Sequence, residues 1–155
     1  RIPVYVASLQ SGKVNGQANP ELNARTPVVL HCDGDLGYAP LAHQKSLGKL
    51  AEAATSNGVA TLSITRTHHF AALWPETEAL SEEDLVAITC VSYLPDVAPF
   101  GSHEKLSGTN PIAFAWPRLP WQWEMFKSPL VMEKRYLKGP ASMPMAIRPL
   151  ILLKL

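Results

Sequence analysis

Two histidines in succession, His68-His69, follow the β-branched run Val59 to Thr65 and precede Phe70-Ala71-Ala72-Leu73-Trp74. An imidazole placed where a strand gives way to a turn can hold or pass a proton, because rigid strands carry the loops on which functional side chains gather. Adjacent residues leaving a strand point in different directions. One of the pair can therefore face a site while the other packs or meets solvent, and the dipeptide is ill suited to grip one metal through both rings. On the residues alone, a plain structural histidine is the commoner outcome. The second candidate is Gly108-Thr109-Asn110-Pro111. Gly108 permits close backbone approach, and Thr109 and Asn110 offer hydrogen bonds to a ligand, although a polar turn ahead of a strand uses the same residues.

Other chemistries find little support. His31, His43 and His103 have no partner spacing that suggests a metal site, and no Gly-x-Ser-x-Gly, Cys-His or paired-carboxylate arrangement stands out. Cys32 and Cys90 are too few for a disulfide framework and lack zinc-ligand spacing, so they read as buried reduced thiols. There is no Gly-x-Gly-x-x-Gly, so a dinucleotide enzyme with this sequence would bind its cofactor outside the usual Rossmann geometry. Glu82-Glu83-Asp84 reads as a solvated helical face, and Trp74 and Trp116 as core or interface residues.

The elements that must position these residues follow from periodicity and punctuation. Arg1 to Leu9 has apolar residues at near-helical spacing, which suits a short helix closed by Gly12, and Asn15 to Arg25 reads as an irregular loop. Thr26 to Cys32 looks like a buried strand, and Asp33-Gly34-Asp35-Leu36-Gly37 is a turn cluster. Pro40 opens a helix that runs to Asn57, with Leu41, Leu47, Leu50, Ala51 and Ala54 on one face and Gly58 as its stop. Val59 to Thr65 is a strand, Glu76 to Asp84 a polar helix, Leu85 to Val91 an apolar strand and Ile112 to Ala115 another. Pro95, Pro99 and Gly101 interrupt the stretch between the last two. The order predicts an α/β or α+β fold, a mixed sheet with flanking helices.

At 155 residues, 46% hydrophobic and 17% charged, the chain can bury one core, and it has no apolar run long enough to span a bilayer. No secretory segment is visible, and the reading is a cytoplasmic protein. The net charge of +1 hides an asymmetry: up to Arg118 there are 8 Lys/Arg against 11 Asp/Glu, and beyond it 6 against 2. All four Met also lie beyond Arg118. The basic residues of this tail are scattered among Trp and Pro, which disfavours nucleic acid or a membrane as partner.

The run Thr65-Arg66-Thr67-His68-His69-Phe70-Ala71-Ala72-Leu73-Trp74, followed by Gly108-Thr109-Asn110-Pro111-Ile112-Ala113-Phe114, resembles the malate/L-lactate dehydrogenase-like oxidoreductases. The doubled His before Phe-Ala-Ala-Leu-Trp is most similar to the Δ1-piperideine-2-carboxylate/Δ1-pyrroline-2-carboxylate reductases of that family. The resemblance covers residues 1–118, the N-terminal half of the oxidoreductase. It implies a non-Rossmann NAD(P)-binding fold, a homodimer, and reduction of cyclic imino acids to L-pipecolate and L-proline with NADPH, or NADH, as cofactor. A malate-, lactate- or ureidoglycolate-type dehydrogenase, or a catalytically inactive fragment, are the alternatives. It also implies that His69 lines the active site, that Gly108, Thr109, Asn110 and Pro111 lie near the cofactor, and that Asp33-Gly34 is the family's turn. Arg1 and Tyr5 match the pattern Ser-His-Gly-x-x-Arg-x-Pro-x-Tyr, with Arg1 suited to pair the substrate carboxylate. The Ser-His-Gly, which carries the family's proton-donating chemistry, would precede Arg1, so an N-terminal truncation is the expectation.

Residues 119–155 lack the family's expected continuation. Back-translation of Trp121-Gln122-Trp123-Glu124-Met125-Phe126, read one nucleotide earlier, permits Met-Ala-Met-Gly-Asp-Val, and Met143-Pro144-Met145-Ala146 behaves likewise. The tail is therefore expected to be an out-of-frame translation, an appendage with loose structure.

Overall fold

A computed structural model describes residues 2–69, 72–92 and 94–117, together with the backbone of residues 130–135 and 148–154. The described elements are α1 (Ile2–Gln10), β1 (Glu21–Thr26), β2 (Val29–Asp33), α2 (Ala39–Asn57), β3 (Val59–Thr65), α3 (Trp74–Ser81), β4 (Leu85–Cys90), β5 (Pro111–Trp116), β6 (Leu130–Arg135) and β7 (Arg148–Lys154). The strands form one mixed sheet in the order β1-β2-β3-β7-β4-β5-β6. Only β2 and β3 pair in parallel, joined by α2 as a βαβ crossover; every other neighbouring pair is antiparallel.

The helix over α2 starts where the sequence places it. Tyr38 is extended at the N-cap, Pro40 fits the first turn because its missing N–H has no helical partner there, and Gly58 closes the helix in the left-handed region at φ 83°, its N–H bonded to the Ala54 carbonyl at 2.8 Å. Its buried residues are Ala39, Ala42, His43, Ser46, Leu50, Ala51 and Ala54, a stripe of mostly small side chains that lets the helix lie close on the sheet. Leu41, assigned to that stripe from the sequence, is exposed. Against α2 and α3 pack the inward residues of the alternating strands: Leu30 and Cys32 from β2, Ala60, Leu62 and Ile64 from β3, Leu85 and Ala87 from β4, with Leu80 of α3. The opposite face of the parallel pair carries His31, Asp33, Thr61, Ser63 and Thr65, all half-buried and polar, which suits a face that none of the described helices covers.

Three local expectations change. Glu21–Thr26, read as loop, pairs antiparallel with β2, and the strand expected from Thr26 is split by the turn at Pro27-Val28, with a bulge between Ala24 and Thr26. A polar strand at a sheet edge, with one half-buried residue in six, leaves no period-two apolar signal to read. The helix expected over Glu76–Asp84 starts two residues earlier and ends at Ser81, and its Glu76, Thr77 and Ser81 are buried. Finally, two segments of the tail enter the sheet, with β7 lying between β3 and β4. The runs Trp121–Phe126 and Met143–Ala146, on which the out-of-frame reading rests, lie outside the described residues. Among the described residues, no helix is long and apolar enough to cross a membrane.

Candidate functional site

The parallel pairing of β2 with β3 brings the ends of both strands to one side of the sheet, the place where open α/β sheets bind ligands. The two turns that follow are stitched together by backbone hydrogen bonds. Gly34 N–H donates to the Thr65 carbonyl at 2.8 Å, Leu36 N–H to Arg66 at 2.7 Å, His68 N–H to Gly37 at 2.7 Å and Ala39 N–H to His68 at 3.2 Å. A side chain at Gly34 would collide with Thr67 Cγ2 and come within 3.0 Å of the Arg66 carbonyl, so the close approach demands glycine. Asp35, Leu36, Arg66 and His69 all have positive φ, at 50°, 56°, 52° and 43°. Non-glycine residues adopt this region at a cost, and here the interlocked turns impose it.

The acidic residues of the first turn are spent on holding it. Asp33 Oδ1 accepts the Asp35 N–H at 2.8 Å, and Asp33 Oδ2 accepts from Arg66 Nη1 at 3.2 Å. Asp35 Oδ2 accepts from Asn15 Nδ2 at 3.0 Å and from the Asn19 N–H at 3.2 Å, tying the segment after α1 to the turn.

On this scaffold four aromatic side chains meet. The Tyr5 hydroxyl lies 3.1 Å from His69 Nδ1, and the two rings are edge-on at 5.0 Å. Tyr38 stands edge-on to Tyr5 at 5.1 Å and donates its hydroxyl hydrogen to the Tyr5 carbonyl at 2.8 Å. His68 stands edge-on to Tyr38 at 5.9 Å. The adjacent histidines thus face different partners, as the strand-exit geometry predicts. Tyr5 and His69, singled out from sequence, are brought into direct contact. Arg1 lies outside the described residues. Tyr38 is the member that sequence reasoning missed: it carries no spacing signal, and only its place between the glycine turn and Pro40 marks it.

The turn Gly108–Pro111 opens β5, which runs antiparallel to β4, so it sits at the same end of the sheet as the turns after β2 and β3. Gly108 is buried, Thr109 and Asn110 are half-buried, and Asn110 has φ 39°. Trp74 and Trp116, expected as core or interface residues, are both exposed and so belong to no core. Burial pushes the thiols of Cys32 and Cys90 above the ordinary thiol value, and for Cys32 the hydrogen bond with Ser46 works against that rise.

A mixed sheet with α2 and α3 packed on one face is a fold that dehydrogenases share among solved structures. A Δ1-piperideine-2-carboxylate reductase from Pseudomonas syringae pv. tomato superposes with a TM-score of 0.77 at 40% identity, over 86% of this chain and 39% of that one. A malate dehydrogenase from Pyrococcus horikoshii gives a TM-score of 0.74 at 25% identity, over 86% and 36%. The sequence profile of the malate/L-lactate dehydrogenase family matches residues 1–126, and the chain belongs to that family. It is 43% identical over 118 residues to Δ1-pyrroline-2-carboxylate reductase 1 of Burkholderia ambifaria, covering 76% of this chain and 35% of the relative. It is also 43% identical over 113 residues to a Δ1-pyrroline-2-carboxylate/Δ1-piperideine-2-carboxylate reductase of Pseudomonas aeruginosa, covering 73% and 34%. The chain spans about one third of the length of these curated relatives.

Proposed function

We propose that the protein serves an NAD(P)H-dependent reductase of cyclic imino acids, turning Δ1-piperideine-2-carboxylate and Δ1-pyrroline-2-carboxylate into L-pipecolate and L-proline, with NADPH preferred over NADH. The observation that carries this reading is the Tyr5–His69 hydrogen bond, in a stretch 43% identical to proteins named for that reaction. Reducing a C=N bond beside a carboxylate calls for hydride at carbon, a proton at nitrogen and a cation at the carboxylate. A reduced nicotinamide, when bound, would supply the hydride.

The residues of Gly108–Pro111 fit a nicotinamide carboxamide: half-buried Thr109 and Asn110 together provide donors and acceptors, and buried Gly108 leaves room for backbone approach. His69 faces the substrate. In the tautomer whose Nδ1 is unprotonated, the Tyr5 hydroxyl donates to that nitrogen and the ring proton sits on Nε2. Arg1 is assigned to the substrate carboxylate on its match to the family pattern alone. A homodimer accompanies this reading, and the exposed apolar side chains of α1, Ile2, Val4, Val6 and Leu9, give it a candidate surface. Identity of 40–43% to imino-acid reductases, against 25% to the Pyrococcus malate dehydrogenase, favours an imine over a 2-oxo acid.

The test is fluorescence-detected binding of NADPH and NADH to the purified protein, followed by NADPH oxidation with Δ1-piperideine-2-carboxylate. Binding that weakens at least tenfold in Asn110→Ala, and turnover that is lost in His69→Ala, is the expected result. Absence of both binding and turnover in the parent chain overturns the reading for this chain.

A further inference from the structure

We infer that the buried pair His43–Glu76 is a positioning pair for the site: it fixes the spacing between the turn that carries Tyr38 and the loop that carries His69. The inference rests on reading His69 as a site residue. His43 Nδ1 meets Glu76 Oε1 across the α2–α3 interface, with side-chain exposures of only 9% and 6%. His43 lies in the second turn of α2, whose N-cap is Tyr38; Glu76 lies in the first turn of α3, the helix that follows the His69 loop.

The backbone shows why such a link matters there. His68 is the last residue of the loop tied to the start of α2, through its N–H to Gly37 and its carbonyl to Ala39. His69 follows at positive φ. His68 is thus bound to the start of α2, and the His43–Glu76 pair ties α3, which begins at Trp74, to the same α2 helix.

Stability alone does not account for it. Polar groups taken out of water cost about as much as their attraction returns, and apolar replacements of like volume often hold a core as well or better. The core cluster of Leu50, Ala51, Leu80 and Leu85 already joins α2 and α3 to the sheet. What an imidazole–carboxylate bond adds over an apolar contact is direction: it sets a distance and an angle.

Two variants test this by NMR of the histidine ring resonances and by thermal unfolding. The double variant H43L/E76L fills the space with apolar side chains, and Glu76→Asp keeps the charge while shortening the reach by one methylene. Folded samples of both are expected to shift the His69 ring signals by more than a linewidth, while His31, held by Thr65 at 3.0 Å, keeps its parental signals. The double variant is expected to keep its melting temperature or raise it. If His69 stays at its parental position in either folded variant, or if His31 moves with it, the positioning role is wrong. Should the double variant not fold, Glu76→Asp decides by the same criterion. Because the readout is a ring resonance, a failure here is distinct from a failure of the reductase reading, which is measured by cofactor binding and turnover.

Discussion

Tyr5 and His69 stand 64 positions apart in the chain and share one hydrogen bond, which shows what a single residue can and cannot reveal before folding. Each was marked by a motif; their contact was not, since nothing local encodes it. The constraint at Gly34 is of the opposite kind. Its Cβ would strike Thr67 Cγ2 and approach two carbonyl oxygens at 3.0 and 3.2 Å. Gly34→Ala is expected to lose about 1–3 kcal/mol, read as a lowered urea midpoint. Adding Thr67→Ser should restore only part of it, because the carbonyls remain. Full restoration would mean that the methyl clash is the whole cost. The two thiols make a pH prediction. Burial raises both folded-state values, so at pH below the unfolded-state value of about 8.5 native and unfolded thiols are equally protonated and stability is unaffected. Above it the unfolded chain releases its protons first, so the urea midpoint should fall as pH rises through that value towards the raised native ones. A Cys32→Ala/Cys90→Ala variant should show a shallower fall; an unchanged slope would remove the thiols as its cause.

Elements whose signal is local were legible in the sequence. For α2, Pro40 and Gly58 marked the ends, and β3 was marked by β-branched residues between Gly58 and the histidines. Their energetic weight differs sharply. Leu62 is fully buried between α2 and the sheet, and Leu62→Ala should cost about 2–5 kcal/mol; Gly58→Ala at φ 83° should cost only about 1 kcal/mol, both measured by chemical denaturation. Equal losses at the two positions would contradict the packing described for β3. The polar edge strand β1 and the buried His43–Glu76 pair were not legible. A charged residue in a polar helix reads as solvated until a second helix is known to lie across it.

At the scale of the molecule, the fold class and, apart from β1, the order of elements through β5 followed from the sequence, but the sheet order did not. Strand β7 pairs with β3 on one side and β4 on the other. Ile151, opposite Thr61 and Ile88, lies in the middle of that strand. Ile151→Pro deletes a ladder donor from a central strand and should unfold the sheet cooperatively, a loss of about 3 kcal/mol or more; a variant with the parental unfolding midpoint would refute this sheet order. The same arrangement governs how the molecule reaches its native state. The hairpin and the βαβ unit can form early from neighbouring segments, whereas β7 must return across most of the chain before β3 and β4 are joined. Until it arrives, each half displays a raw strand edge towards the other, and a second molecule's strand can dock there instead. Refolding yield should therefore drop with protein concentration while the rate of the slow phase does not, making this chain's self-assembly a race between its own distant strand and those of its neighbours.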